Sequence, residues 1–282
     1  MNTRAIKELV RHYHLGISPR RLGQNFLVDP RALARIVATI GATAQDRVLE
    51  IGAGLGALTE ELLTTGAVVH AVEKDAGFLR VLTDRFKESD RLQLVRSDVL
   101  RLDLGSIAVG EPKSLLVVGN VPFSMTSPIL EFLLKERPWV KRVVLTVQKE
   151  VAQRIVARPG TKQYSSITLL VQVAFRPVIA FTIPPNAFYP QPKVTSAVLR
   201  LEPLAQPPLP PEEEERALKL VRLLFVHRRK TLLNCLVFGG INLGKEEILQ
   251  RLRRCKVDPA RRPETFSLAE MAELSRVFHP PR

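Results

Sequence analysis

The sequence predicts a doubly wound α/β fold, a mostly parallel sheet with helices on both faces, followed by a small helical domain. Three observations predict it. Apolar runs of strand length alternate with runs at helical spacing through about residue 157. A glycine-rich turn, Gly52-Ala53-Gly54-Leu55-Gly56, lies between the first such strand and its helix. Polar residues recur at the ends of successive strands, at Glu73, Asp98 and Asn120, and this is the sheet edge at which open α/β folds bind ligands.

The elements follow in order. Residues 1–18 are basic and partly helical. Asp29-Pro30 supplies an N-cap with proline at the first helical position. Leu33, Ile36, Val37 and Ile40 then recur at helical spacing until Gly41 ends the helix. Arg47–Ile51 is a short strand, and the glycine turn leads into a helix carrying Leu58, Leu62 and Leu63. Ala67–Val72 is a second strand with Glu73 at its end. Strand, glycine turn, helix, strand and acid together bind adenosine-bearing cofactors. Glycines such as Gly52 and Gly54 let the backbone approach the ligand beside a helix N-terminus, and an acid about 20 residues on accepts the ribose hydroxyls. The turn also reads as Gly-x-Gly-x-x-Ala, so a nicotinamide dinucleotide stays open. A helix with Phe78, Leu79, Leu82 and Phe86 leads to the strand Leu92–Val95 and then to Ser97-Asp98. Asp98 can accept from the amino group of an adenine in the cleft, or simply cap a turn.

The fourth strand, Leu115–Val118, stops at Gly119 and is followed by Asn120-Val121-Pro122-Phe123. That order suits a reaction at an amino group on a flat ring. The Asn120 side-chain oxygen can accept from an –NH₂ group. Pro122 stiffens the turn and removes a competing N–H. Phe123 offers a face for stacking, a contact worth roughly 1–3 kcal/mol in nucleic-acid sites. A helix over Ile129–Leu134, a fifth strand over Arg142–Val147 and a helix to Ala157 come next. Ile167–Phe175 reads as a buried strand and Ser196–Leu201 as the last one. Between them, Ile183–Lys193 is a proline-braced loop presenting Phe188, Tyr189 and Lys193. Phe188 there either holds a stacking position or plugs the core.

Pro203 to Pro211 is proline-rich and ends the first domain, giving expected domains of 1–208 and 209–282. The second is helical, opening at Glu212–Glu215, where negative charge suits a helix N-terminus. It carries the basic clusters Arg228-Arg229-Lys230 and Arg251, Arg253, Arg254 and Lys256. The net charge of +14 over 282 residues makes an anionic partner, nucleic acid first, the expectation. Arg20, Arg21, Lys193, Arg228, Arg229 and Lys230 are the candidate phosphate contacts. Two cysteines, Cys235 and Cys255, fit a reducing cytoplasm and give neither a disulfide framework nor a zinc site. The histidines show no ligand spacing, so no metal is expected. No apolar run reaches about 18 residues, so no membrane span is expected.

These stretches in combination resemble the ribosomal RNA adenine dimethyltransferases. The resemblance is carried by Arg-Leu-Gly-Gln-Asn-Phe-Leu at 21–27, Glu-Ile-Gly-Ala-Gly-Leu-Gly at 50–56, Asn-Val-Pro-Phe at 120–123 and Gln-Lys-Glu at 148–150. Phe-Tyr-Pro-Gln-Pro-Lys-Val-Thr-Ser at 188–196 and Phe-Val-His-Arg-Arg-Lys-Thr-Leu at 225–232 complete it, and the last is closer to the small-subunit branch than to the antibiotic-resistance branch. The resemblance implies a Rossmann-like class I methyltransferase sheet with S-adenosyl-L-methionine as methyl donor, held by Asn25, Leu27, Gly52, Glu73, Asp98 and Asn120. Phe123 and Phe188 would hold a flipped adenine. Two adjacent adenosines near the 3′ end of small-subunit ribosomal RNA, in immature 30S subunits, would be the target of a monomeric cytoplasmic enzyme. One departure stands out. The family usually has Leu or Ile and then Pro-Tyr after the asparagine, and this chain has Val121-Pro122-Phe123, which keeps the ring and lacks the hydroxyl. A non-catalytic RNA-binding assembly factor and a DNA adenine methylase are the rival expectations.

Overall fold

A computed structural model describes residues 1–16 and 25–278. Seven strands form one sheet in the order β4-β3-β2-β5-β6-β9-β7. They are β2 (Arg47–Ile51), β3 (Val68–Glu73), β4 (Leu92–Arg96), β5 (Leu115–Asn120), β6 (Val140–Gln148), β7 (Phe175–Ile183) and β9 (Ser196–Pro203). The pairings of β2 with β3 and β5, β3 with β4, and β5 with β6 are parallel, and β9 runs antiparallel to β6. The strand order turns back at β2, so β2 and β5 leave the sheet as neighbours while their connections cross opposite faces. That switch point is where an open sheet forms a crevice at its carboxyl edge. Strand β5 is buried on both faces up to Asn120, which explains its unbroken apolar run.

Local signals set the helices. Asp29 accepts from the Arg31 N–H and Gly41 closes the Pro30–Ile40 helix at φ 66°. Asp75 caps the Ala76–Arg85 helix through the N–H groups of Gly77 and Phe78. The apolar faces of both helices pack on the sheet, with Leu33, Ile36, Ile40, Leu62, Leu82 and Val118 all in one buried core. A short second sheet pairs β1 (Phe26–Leu27) with β8 (Phe188–Tyr189), so Phe26 lies opposite Tyr189 and Leu27 opposite Phe188.

One expected element is replaced. The Ile167–Phe175 run is a helix, Ser166–Gln172, and the strand begins only at Phe175. Thr168, Leu169, Leu170 and Val171 are buried in succession, and a short, mostly apolar run buried without a break shows no period by which to tell a helix from a strand. The Thr168 hydroxyl accepts from the Ser165 N–H and donates to the Arg154 carbonyl, which fixes the helix start. In β7 buried and wet positions alternate, as at a sheet edge.

The chain divides into two compact units, Met1–Ala152 with Arg176–Pro203, and Gln153–Phe175 with Leu204–Arg282. The second therefore takes in Gln153–Phe175, a segment that the division at 208 assigned to the first. Its own core gathers Leu220, Leu224, Leu236, Phe266 and Phe278 around Tyr164, whose hydroxyl donates to the Phe266 carbonyl at 2.9 Å.

Gly119 sets how closely β5 and β2 approach just before Asn120. A Cβ at Gly119 would lie 2.8 Å from the Ile51 carbonyl oxygen and 3.1 Å from its Cβ. Gly119→Ala must push the two strands apart, and overpacking of this kind costs about 1–3 kcal/mol. We expect a thermal midpoint several degrees lower by calorimetry.

Candidate active site

The glycine turn takes its shape from three left-handed residues, Gly52, Gly54 and Gly56, with φ of 71°, 55° and 80°. A Cβ at Gly52 would meet no atom within 4 Å, so that backbone opens onto free space. At the end of the adjacent β3, Glu73 is buried, with 9% of its surface exposed. Its Oε2 accepts from the Gly54 N–H at 2.9 Å, and its Oε1 accepts from the N–H groups of Lys74 and Asp75 at 2.8 and 2.9 Å. One carboxylate thus ties the glycine turn to the β3 exit. Burial raises the Glu73 pKa, against the opposing pull of those three N–H groups.

Asp98 does two things. It caps the turn at Val99–Arg101 through the Leu100 N–H, and its Oδ2 accepts from Lys74 Nζ at 3.0 Å. The lysine, and after it the Leu100 N–H, hold the carboxyl below its ordinary range. Asn120 closes the site at the end of β5. Its Nδ2 donates to the Asn25 carbonyl at 2.8 Å, which fixes the amide orientation and makes Oδ1 its acceptor end.

These residues share one cavity of about 610 Å³. Asn25, Leu27, Gly52, Gly54, Glu73, Asp98 and Asn120 all line it, so the cofactor-binding set expected from the sequence is brought together. Phe123 lies in a half-buried turn at Phe123–Met125 and is not among the lining residues, although Pro122, Ser124 and Met125 are. Phe188 is 5% exposed and packs into the sheet core from β8. In this conformation the two rings therefore stand apart from the cavity. Lys193 is exposed, and Arg20 and Arg21 lie outside the described residues. In the C-terminal unit, Arg229 and Lys230 are exposed, whereas Arg228 Nε pairs with Glu264 at 2.7 Å and its guanidinium donates to the Lys162 carbonyl. Arg228 anchors the turn from which its two neighbours project.

The sequence reading passed over Glu50. It sits in β2 beneath the glycine turn, lines the cavity and is 2% exposed. The Thr59 hydroxyl donates to its Oε2 at 2.6 Å. Burial pushes its carboxyl up to about 7, with repulsion from Glu73 adding to the shift and the Thr59 bond opposing it. The available signal was an acid inside an otherwise apolar strand. Glu50, Glu73, Asp75 and Asp98 make this cavity an acidic pocket in a strongly basic chain. Such a donor set fits a ligand with ribose hydroxyls and positive charge. Among the described residues there is no His, Cys, Asp and Glu group arranged to hold a metal ion, and no helix is long and apolar enough to cross a membrane.

This strand order, with the last strand inserted antiparallel and the cavity at the glycine turn, defines a Rossmann-like class I methyltransferase. A family model described as ribosomal RNA adenine dimethylase matches residues 18–279, and the chain belongs to that family. The ribosomal RNA small subunit methyltransferase A of Geobacillus thermodenitrificans is 40% identical over 280 residues, covering 97% of this chain and 95% of that one. The protein of the same name from Geobacter metallireducens is 41% identical over 265 residues, covering 93% and 96%. Among solved structures, a dimethyladenosine transferase from Plasmodium falciparum shares the fold with a TM-score of 0.71 at 24% identity, over 91% of this chain and all 100% of that one. The 23S rRNA methyltransferase ErmE matches with a TM-score of 0.64 at 25% identity, over 90% and 99%.

The raised Glu50 pKa has a signed consequence. The folded chain keeps the Glu50 proton in a range where the unfolded chain, with a carboxyl near 4.5, has lost it. Its contribution to stability is therefore full below about pH 4.5 and falls as pH rises through about 7. Glu50→Gln should remove that slope. The denaturation midpoint of the variant relative to the parent should climb between about pH 5 and pH 8. A flat difference would mean that Glu50 titrates normally.

Proposed function

We propose that the chain uses S-adenosyl-L-methionine to dimethylate the 6-amino groups of two adjacent adenosines near the 3′ end of small-subunit ribosomal RNA. It would act as a monomer, in the cytoplasm, on immature 30S subunits. The family membership and the names of its relatives support the class of reaction and the RNA. The observation that carries the chemistry is the Asn120 amide held by the Asn25 carbonyl.

S-adenosyl-L-methionine supplies, when bound, a methyl group on a sulfonium that is already electrophilic. Glu73 would take a ribose hydroxyl through Oε2, which accepts one backbone N–H and keeps a second lone pair, whereas Oε1 already accepts two. Gly52 and Gly54 give the ligand access to the backbone, and Asp98 suits an adenine amino group. The task left to the protein is alignment and the preparation of the attacking nitrogen.

An adenine amino lone pair is delocalised into the ring. Asn120 Oδ1, accepting one amino hydrogen, favours a more pyramidal and more nucleophilic nitrogen. The Nδ2 bond to Asn25 holds that oxygen in place, so little reorganisation is needed when charge develops. The target base must leave its stack, which costs a few kcal/mol. Phe123 and Phe188 are the rings that would offset part of that cost. Phe188 would then have to come forward from its core position. A second transfer requires the monomethyl base to offer its remaining N–H to the same oxygen. Lys193, Arg229 and Lys230 would meet phosphate, as would Arg20 and Arg21.

Two variants test this reading. Asn120→Ala should lower the single-turnover rate with saturating donor and RNA by about 2.7–4 kcal/mol, roughly a hundred- to a thousand-fold. RNA affinity should change little. A rate equal to that of the parent would make Asn120 a structural residue and overturn the mechanism. Glu73→Ala should weaken S-adenosyl-L-methionine binding by calorimetry, and unchanged affinity would count against the cavity as the donor site. Nucleoside analysis of small-subunit RNA, naked and in immature subunits, identifies the product. RNA binding without methyl transfer would favour an assembly factor instead.

A further inference from the structure

The C-terminal unit exposes a large aromatic side chain that its own core does not use. Phe238 ends the Leu232–Phe238 helix and is 60% exposed, beside Val237 at 37%. Val226, at the end of the Pro211–Val226 helix, is 73% exposed. Apolar side chains this open are usually scattered singly on a surface, and a group of them marks an interaction site. The group is surrounded by positive charge. Lys230 Nζ sits 3.7 Å from the centre of the Phe238 ring, and the His227 ring meets it edge-on at 6.5 Å. Arg229 is exposed on the same turn.

The turn is held in place. Arg228 is tied to Glu264, the Cys235 thiol donates to the His227 carbonyl at 3.4 Å, and the Leu232 N–H donates to the Arg261 carbonyl at 2.7 Å. The Lys230 backbone and the start of the Phe238 helix are thus tied to one hydrogen-bonded turn, from which the exposed Lys230 side chain reaches over the ring.

We propose that Phe238 is a stacking platform for an unpaired base of the ribosomal RNA. Lys230 and Arg229 take the adjoining phosphates and Val226 bears on the sugar. This rests on the reading of the chain as a ribosomal RNA methyltransferase, and it adds a base-contacting site outside the methyl-transfer cavity. Charge selects the occupant. An apolar patch awaiting a second copy of this chain would bring Arg229 and Lys230 toward their own like charges, whereas a nucleotide offers a flat π face and an anion together. The ammonium over the ring marks the face that the base would take, and on binding it moves from ring to phosphate.

The test uses the full chain and a naked small-subunit ribosomal RNA transcript. Phe238→Leu keeps the apolar bulk and removes the ring, and RNA affinity should fall about five- to 150-fold, the range of one stacked base. Phe238→Trp should keep the affinity. Its added emission, above that of Trp139, should be quenched by the RNA. Single-turnover methyl transfer at saturating RNA should be unaltered in both, and so should the melting temperature. The proposal is overturned if Phe238→Leu binds as tightly as the parent, or if the new tryptophan is not quenched. It is also overturned if sedimentation shows that Phe238→Leu breaks a self-associated form while RNA affinity stays constant. A parent chain that binds neither this RNA nor immature 30S subunits would remove the underlying reading, and this one with it.

Discussion

The Glu73 carboxylate is the constraint on which the rest of the first unit depends. A carboxylate at the end of a buried strand is tolerated only because three backbone N–H groups meet it. Those groups come from two places, the glycine turn and the start of the next helix. One side chain therefore closes the turn against the sheet and fixes the cavity wall. The left-handed glycines make the turn possible, but the carboxylate chooses among the conformations they allow. The nearby Glu50 carboxyl shows the cost of burying a charge with fewer partners, since burial, with repulsion from Glu73 adding to it, pushes its pKa up to about 7.

Around that frame, the residues of the candidate site come from two kinds of element. The donor cavity is built from strand ends whose backbones are locked by the ladder. Asn120 belongs to β5 and is further held by Asn25, so the acceptor proposed for the reacting amino group is fixed in orientation. The rings expected to grip the base lie outside the seven-stranded ladder. Phe123 sits in a one-turn helix and Phe188 on a two-residue strand outside the main sheet. An enzyme that admits a base from a folded RNA needs this division, because alignment must be fixed while entry must be open.

What could be read in the sequence follows the range of the interactions concerned. The glycine turn, Glu73, Asp98 and Asn120 were legible because each is marked by local order: strand, then turn or acid. Asp29 and Gly41 bounded their helix for the same reason. The Ser166–Gln172 helix was misread because its residues are buried all round and carry no periodicity. The β1–β8 pairing joins residues more than 150 positions apart, and no local pattern announces it. Arg228 looked like its neighbours in a basic run. Only the fold shows that Glu264 claims it, which leaves Arg229 and Lys230 to face outward. Glu50 was hidden by its motif, where the glycines drew attention away from the acid before them.

The pairing of Leu27 with Phe188 has one more consequence. Leu27 is part of the cavity wall, and Phe188 is the ring proposed to receive the base. The two residues face each other across a short antiparallel ladder, which the Val28 N–H closes by donating to the Ala187 carbonyl at 2.8 Å. On the proposed reading, occupancy of the cavity and the resting position of the ring would be coupled through this pairing. A donor that displaces Leu27 changes how readily Phe188 leaves the core, and a base that draws Phe188 forward alters donor affinity by the same factor.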